Sequence, residues 1–227
     1  MSILYIVATP IGNLQDLSPR AVEILGSVDY IACEDTRTSG NLLQHFGISK
    51  PTFSFHQHNE HRKVGHLTNI LDAHQDVALI SDAGMPGISD PGFLAIRAAK
   101  QGGHTVTVIP GPDAATTALV SSGLPCDRYV FEGFLPHKKG RQKRLGELAE
   151  EERTIIIYES PNRILKLLGE IEEHFEPDRL AAVARELTKK FEEVVRGTIS
   201  ELKKEFEERD SIKGEIVVII SGKGYTE

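Results

Sequence analysis

Three adjacent polar residues with complementary chemistry, Asp35, Thr36 and Arg37, follow the apolar segment 30–33. A carboxylate can accept a proton from a weakly acidic hydroxyl, and a guanidinium can hold a phosphate or a ribose through paired hydrogen bonds. The alternative is a helix cap with a surface ion pair, because Asp is favoured at helix N-termini. We treat Asp35 and Arg37 as catalytic candidates and keep the cap as the alternative.

The densest polar cluster is segment 56–61, HQHNEH. If the preceding strand continued through it, His56 and His58 would share one face. An isolated HxH pair without further ligands is a poor zinc signature, so no metal site is predicted. We expect His58 and Asn59 to contact substrate and Glu60 to accept or orient a proton. Solvated surface side chains are the alternative.

Segment 137–144, HKKGRQKR, concentrates positive charge in a chain whose net charge is −7. The overall charge argues against general nucleic-acid affinity, but clustered Lys and Arg bind phosphates by releasing counterions. We expect Lys138, Lys139 and Arg141 to contact RNA. The alternative is the exposed first turn of a helix. Arg163 is a further candidate, which either meets a phosphate or pairs with Glu159.

Loops rich in glycine and proline follow three apolar segments, at 9–13, 81–92 and 110–114. Such loops interrupt both strand and helix, and in open α/β sheets ligands bind at the carboxyl ends of the strands. Neither a GxGxxG nor a GxxxxGK[ST] motif is present, so a phosphate-bearing cofactor is not indicated.

The composition of these loops fits S-adenosylmethionine. Small apolar residues can contact its adenine, backbone N–H groups its carboxylate, and Asp82 and Asp90 its positive charges. Plain strand-to-helix turns are one alternative. Magnesium bound by Asp82 and Asp90 is another, weakened because neither a third nearby acid nor a lysine loop completes such a site.

The elements that position these residues alternate between apolar β-branched runs and helical patterns, which is typical of α/β proteins. Helices are expected to start at Ser18-Pro19 and at Ser160-Pro161, with Thr38 or Ser39 capping a helix that ends at Gly47. Strands are predicted near 3–8, 28–33, 52–56, 77–81, 104–109, 128–134, 154–159, 179–185, 192–196 and 214–220. Because ten strands are many for one sheet, we predict two α/β domains, 1–113 and 114–227, with mainly parallel sheets and the site in a cleft between them.

The bulk composition is that of an ordinary globular chain, with 227 residues, 40% hydrophobic and 26% charged. Cys33 and Cys126 form no disulfide or metal pattern, which indicates a reducing cytoplasm. The first five residues lack a basic region and a long apolar run, so neither export nor membrane anchoring is expected.

Nine motifs in order resemble those of the tetrapyrrole methylase superfamily, and most closely those of its members that methylate small-subunit ribosomal RNA. The resemblance extends nearly from end to end. The motifs are VATPIGNLQDLSPRA (7–21), CEDTRTS (33–39), FHQHNE (55–60), SDAGMPGISDPG (81–92), IPGPDAATTAL (109–119), FEGFLP (131–136), YESPNR (158–163), ARELTKKFEE (184–193) and KGEIVVII (213–220).

The resemblance implies two α/β domains with S-adenosylmethionine in the cleft between them, a homodimer, and 2′-O-methylation of a cytidine in the decoding region of 16S ribosomal RNA. The family's cofactor contacts fall on Pro10, Ser81, Asp82, Ala83, Met85 or Ile88, Asp113, Ala114, Glu159 and Leu187. Met85 and Ile88 are alternatives for one of these contacts, because the alignment across the long loop 81–92 is ambiguous.

The resemblance also implies a difference, since longer members continue past the strand at 213–220 into a small helical extension, whereas this sequence stops at Glu227. If that extension helps to hold RNA, the basic segment or a dimer partner must replace it here.

Two other functions compete with RNA methylation. The acceptor could be a tetrapyrrole ring carbon, or the protein could be a non-catalytic module that binds the cofactor or RNA. Segments 55–60 and 137–144 favour RNA over a tetrapyrrole, since a porphyrin pocket has less need of clustered cations.

Overall fold

The computed structural model describes residues 2–227 and has an α/β fold, as predicted. The chain divides into two compact units, the first ending at Asp113 and the second beginning at Ala114. Within the described residues each unit contains one five-stranded sheet with helices packed on it.

The first unit has a parallel sheet in the order β3-β2-β4-β1-β5. Parallel neighbours need a crossover connection, and helices supply it. A short 3-10 helix, Leu14–Asp16, follows the first strand. The elements are β1 (Ile3–Val7), α1 (Pro19–Ser27), β2 (Tyr30–Cys33), α2 (Thr36–His45), β3 (Thr52–Ser54), α3 (Glu60–Asp72), β4 (Val77–Ile80), α4 (Phe93–Gln101) and β5 (Thr105–Ile109).

Both faces of this sheet are covered. On one face Leu4 and Leu79 pack with Leu67 of α3 and Ala95 of α4. On the other, side chains of β2 and β4 pack with α1 and α2. Cys33 lies in that second layer, and burial raises the pKa of its thiol to about 11. Because β4 is buried along its whole length, the polar loop that follows it starts from a rigid strand.

The second unit has the strand order β6-β7-β10-β8-β9. Within the described residues of this second unit, the β6–β7 pairing is parallel and the other three pairings are antiparallel. The expectation of a mainly parallel sheet is therefore correct for the first unit and wrong for the second. Its elements are α5 (Ala114–Ser122), β6 (Tyr129–Phe134), α6 (Arg141–Ala149), β7 (Thr154–Glu159), α7 (Ile164–His174), β8 (Leu180–Arg185), β9 (Glu193–Thr198), α8 (Ile199–Glu207) and β10 (Ile216–Ile220).

Alternate residues of β7 and β10 point to opposite faces of this sheet. Ile155, Ile157 and Val218 join the core formed with α6, α7 and α8. Ile156 and Ile219, which pair across β7 and β10, lie outside that core cluster and on the face against which α5 packs. The sheet is thus covered by three helices on one side and by α5 on the other.

The predicted strands are all present, with ends that differ by at most two residues. Ser18 caps α1 by accepting a hydrogen bond from the Ala21 N–H, as predicted, and Gly47 has the expected positive φ of 65°. The predictions for α2 and α7 are wrong at their starts: α2 is capped by Asp35, and α7 begins at Ile164 after a turn. No helix among residues 2–227 is long and apolar enough to cross a membrane.

Candidate active site

The loops after β1, β4 and β5 meet at one edge of the first sheet. Thr9 and Gly84 exchange backbone hydrogen bonds of 2.9 and 3.0 Å, and the Thr9 hydroxyl donates to the carbonyl of Ser81. The loop after β5 comes so near to β1 that a Cβ on Gly111 would lie 2.9 Å from the Cβ of Ala8. Backbone therefore defines this edge, and only glycine at 111 permits the approach without a shift of the neighbouring chain.

A pocket of about 240 Å³ opens at this edge. Three of its lining residues, Pro10, Ser81 and Asp82, are among the predicted cofactor contacts. The hydroxyl of Ser81 is buried and donates to the carbonyls of Gly84 and Ala83, so it braces the loop. The remaining lining residues are Gly12, Leu14, Thr38, Ser39, Asn41 and Leu42.

The long loop that follows Asp82 places its two alternative apolar contacts differently. Met85 packs against the core formed by β1, α3 and α4, whereas Ile88 is 43% exposed. Ala83, which follows Asp82 directly in the sequence, is half-buried. Of the two side chains, Ile88 is therefore the one that offers free apolar surface.

Asp35 is the cap of α2, and its carboxylate accepts hydrogen bonds from the Arg37 backbone N–H (2.8 Å), Nε (3.2 Å) and Nη2 (2.8 Å). The hydrogen bonds from Arg37 lower the pKa of Asp35 to about 2. The cap-and-ion-pair alternative thus describes its local structure. A carboxylate of such low pKa is a weak proton acceptor, while the exposed guanidinium beside it stays accessible to an anion.

Two neighbouring carboxyl groups are stronger bases. Burial, with a contribution from the charge of Asp82, raises the pKa of Glu34, and burial also raises the pKa of Asp82. Glu34 was not singled out from the sequence, although a carboxylate directly after a buried strand is a signal that could have identified it. Glu34 and Asp82 are therefore the carboxylates at this edge that accept a proton most readily.

Glu60 is not a free base, contrary to expectation. It begins α3, and its Oε1 accepts hydrogen bonds of 3.1 Å from the backbone N–H groups of Gly92 and Leu94 at the start of α4. A carboxylate at this position is stabilised by the first N–H groups of the helix. Glu60 therefore fixes the end of the long loop.

The neighbours of Glu60 also differ from expectation. β3 ends at Ser54, so His56 and His58 lie in a turn and not on a strand, with ring centroids 6.0 Å apart. Asn59 is buried, and its side chain bonds to the His56 N–H and to Ser54. This corrects the prediction that Asn59 contacts substrate, whereas His58 is exposed.

The basic segment separates into buried and exposed cations. Arg141, 3% exposed, donates to Glu170 at 2.7 Å and lies 3.5 Å from Glu159, so its predicted contact with RNA is wrong. A buried guanidinium must be paired, and both partners lie far away in the sequence. Lys138 and Lys139 are exposed and, within residues 2–227, have no carboxylate partner.

Glu159, a predicted cofactor contact, is 2% exposed, and its carboxylate also pairs with Arg163 at 2.7 Å. The pairing alternative for Arg163 is thus the observed one, and Arg163 contacts the ring of His137 as well. The carboxylate of Glu159 is thus paired with two arginines of the second unit, and its contact with the cofactor stays a prediction.

The predicted contact Leu187 lies in the turn between β8 and β9 and is buried. Its neighbours Glu186 and Thr188 have positive φ values of 51° and 65°, which cost energy for residues other than glycine. Backbone strain such as that at Glu186 and Thr188 often marks a binding site.

The last two predicted cofactor contacts, Asp113 and Ala114, are half-buried and lie where the two units join in the sequence.

Among residues 2–227, no group of three or more His, Cys, Asp or Glu side chains is arranged to hold a metal ion. The magnesium site considered for Asp82 and Asp90 is therefore not supported by a third acidic ligand.

Comparison with known proteins gives one family and one fold. The family model described as Tetrapyrrole (Corrin/Porphyrin) Methylases matches residues 3–203. The chain is 53% identical to ribosomal RNA small subunit methyltransferase I of Pasteurella multocida, over 97% of this chain and 79% of that protein. The protein of the same name from Escherichia coli O157:H7 is 48% identical over 96% and 77%.

Solved structures agree on the fold. The methyltransferase CobJ superposes with a TM-score of 0.74 and 17% identity, covering 100% of this chain and 97% of its own. Uroporphyrin-III-C-methyltransferase from Thermus thermophilus has a TM-score of 0.67 at 18% identity, covering 97% and 94%.

Proposed function

Because the chain belongs to the tetrapyrrole (corrin/porphyrin) methylase family, we propose that it methylates small-subunit ribosomal RNA with S-adenosylmethionine as methyl donor. Family membership, predicted from the nine motifs, is confirmed, and the chain is a methyltransferase. The substrate is proposed from relatives at about half identity that are named for ribosomal RNA. The finer proposal is that the acceptor is the ribose 2′-hydroxyl of a cytidine in the decoding region of 16S RNA.

One observation carries the proposal for the cofactor, namely the pocket that Pro10, Ser81 and Asp82 line. The chemistry of the lining also fits the cofactor. Small residues and closely approaching backbone leave room for a flat ring, and the carboxylate of Asp82 favours a positive charge. When bound, S-adenosylmethionine supplies an electrophilic methyl group on a positively charged sulfur. Ala83, Ile88 and the backbone at 111–114 complete the proposed contacts, and Leu187 is kept from the family's set.

The residues at this edge must also hold the acceptor hydroxyl and take its proton. We assign proton acceptance to the Glu34 and Asp82 pair, because their pKa values are raised while that of Asp35 is lowered. Arg37 is exposed next to Asp35 and can hold a phosphate of the acceptor strand. His58, Lys138 and Lys139 are the further proposed RNA contacts.

The location and assembly belong to the same proposal. We propose that the protein acts in the cytoplasm, which is supported by the proposed ribosomal substrate and by the two free cysteines. A homodimer is supported by large apolar side chains left exposed, such as Phe93 and Val120.

The test incubates the protein and methyl-labelled S-adenosylmethionine with small ribosomal subunits that lack the modification. The label is then mapped by resistance of the RNA backbone to alkaline cleavage. Label at one alkali-resistant cytidine is the expected result. Label on a tetrapyrrole offered in parallel, or cofactor binding without turnover, would instead favour one of the two competing functions. An Asp82→Asn variant is the matched negative control.

A further inference from the structure

Two phenylalanines of β6 point to the same side of the second sheet although they are three positions apart. In a regular strand a spacing of three places side chains on opposite faces. Here the register with β7 shifts between Phe131 and Gly133, and Gly133 has a φ of 67°. This β-bulge adds one residue to β6, so Phe131 and Phe134 pair with Ile156 and Tyr158, which share a face.

The three aromatic rings form a cluster at the end of β6 and β7. The ring centroid of Tyr158 lies 5.1 Å from that of Phe131 and 5.5 Å from that of Phe134, both in edge arrangements. Phe134 is 55% exposed, and Phe131 and Tyr158 are half-buried. The cluster lies on the face opposite the core of α6, α7 and α8, at an edge strand.

The exposed cations follow this cluster closely in the sequence. After Phe134, the buried Leu135 anchors the chain, and the exposed segment with Lys138 and Lys139 follows. Arg141 fixes the far end of that segment, since its Nη1 donates to the carbonyl of Pro136 at 3.2 Å. Lys138 and Lys139 follow Phe134 by four and five residues, a separation within reach of neighbouring phosphates on one strand.

We propose that Phe131, Phe134 and Tyr158 form a stacking platform for an unpaired nucleobase of the RNA. Single-stranded RNA is bound by aromatic rings beside a positively charged track, and this combination is what β6 and the lysines present. The proposal deepens the proposed function and rests on it, because it takes RNA to be the substrate. Phe134 is the ring that the base covers.

The chain contains no tryptophan, so Phe134→Trp introduces a single tryptophan at the platform, whose fluorescence can be excited selectively over that of the tyrosines. The full-length variant is titrated with a short oligocytidylate and, separately, with an abasic oligomer of equal length and charge. Stacking is expected to quench the fluorescence with oligocytidylate and to leave it unchanged with the abasic strand. Equal quenching by both strands would overturn the proposal, because charge alone would then explain binding.

Matched substitutions separate a ring from mere apolar surface. Phe134→Leu is expected to weaken oligocytidylate binding by about 5- to 150-fold, the usual range for loss of one stacked base, while Phe134→Tyr retains it. The slope of affinity against salt stays unchanged in Phe134→Leu, since the cations that neutralise phosphates are all retained. Unaltered affinity in Phe134→Leu would overturn the platform, as would a change from dimer to monomer in sedimentation, which would assign the surface to a second copy.

Methyl transfer by the unaltered chain to small ribosomal subunits is measured separately. Its absence would contradict the proposed function, whereas the fluorescence and affinity results decide the platform on their own.

Discussion

The backbone N–H of Asp35 donates a hydrogen bond to the carboxylate of Asp82, with 3.1 Å between nitrogen and oxygen. This bond joins the start of α2 to the loop after β4, and so it couples the residue that caps a helix to one that lines the pocket. The carboxylate of Asp82 thereby keeps one oriented oxygen while its side chain remains exposed.

Replacing Asp82 with Asn is expected to lower both S-adenosylmethionine affinity and methyl transfer, because the carboxylate that attracts a positive charge is removed. Asp35→Asn removes a charge that Arg37 already neutralises, so it should leave cofactor affinity within a few-fold. Calorimetry with the cofactor and single-turnover methyl transfer distinguish the two variants. Equal losses in both would contradict the different roles assigned to them.

The pH dependence of methyl transfer should report the raised carboxyl pKa values. If Glu34 accepts the proton, the rate falls as pH decreases through a pKa above the ordinary 4.5 of a glutamate, and if Asp82 accepts it, through a pKa above the ordinary 3.8 of an aspartate. If Asp35 accepted it, the rate would persist far lower, since its pKa is about 2. Rate measurements at saturating cofactor, with Glu34→Gln beside the unaltered chain, decide between them.

The lowered pKa of Asp35 can be measured directly. Its carboxyl signal in NMR should titrate near 2 in the unaltered chain and move toward the ordinary 3.8 in Arg37→Ala, because the guanidinium no longer donates hydrogen bonds to it. The sign for stability follows: the ion pair favours the folded state above pH 3.8, and its contribution is lost as pH falls toward 2. A midpoint unaffected by Arg37→Ala would show that the pair is not formed in solution.

Arg141→Met should reduce the free energy of unfolding by up to about 3–5 kcal/mol, since it removes the buried guanidinium that lies 2.7 Å from Glu170 and 3.5 Å from Glu159. Glu159 then keeps its ion pair with Arg163. Lys139→Ala is the matched control, and as an exposed substitution it should change stability by less than about 0.5 kcal/mol. Urea denaturation measures both. A loss in Arg141→Met no larger than in the control would contradict the buried pairing.

The exposed lysines should act on RNA and not on stability. In Lys138→Ala/Lys139→Ala, the slope of log affinity against log salt for single-stranded RNA should flatten by about 0.7 for each phosphate that is no longer neutralised. Filter binding at several salt concentrations gives the slope. Lys223→Ala, which removes a cation paired with Glu150 in a different part of the second unit, should leave the slope unchanged.

Gly111→Ala should weaken cofactor binding while the protein still folds, because the new Cβ would lie 2.9 Å from Ala8 and displace the loop after β5. Gly146→Ala is the control, since a Cβ there meets nothing within 4 Å and alanine favours a helix by about 0.5–1 kcal/mol. Thermal denaturation with and without cofactor compares them. Unchanged affinity in Gly111→Ala would mean that this loop does not shape the site.

Local sequence patterns predicted the strands and the edge where their loops meet, because apolar runs and turn residues are encoded within a few positions. The direction of pairing in the second sheet was not predictable in this way, since β10 inserts between β7 and β8 from the far end of the chain. The burial of Arg141 depends on Glu159 and Glu170, which are also distant in sequence. Likewise, simple alternation along β6 would have separated Phe131 from Phe134, and only the bulge brings them together.

The contrast between the two cysteines makes the protein convenient for site-selective chemistry. Cys33 is buried in the first sheet, and the pKa of its thiol is raised to about 11, whereas Cys126 is exposed near the start of the second unit. A maleimide dye at neutral pH should therefore attach at one position without any engineering. A label at Cys126 would then allow binding of the unaltered chain to the proposed ribosomal substrate to be followed in real time.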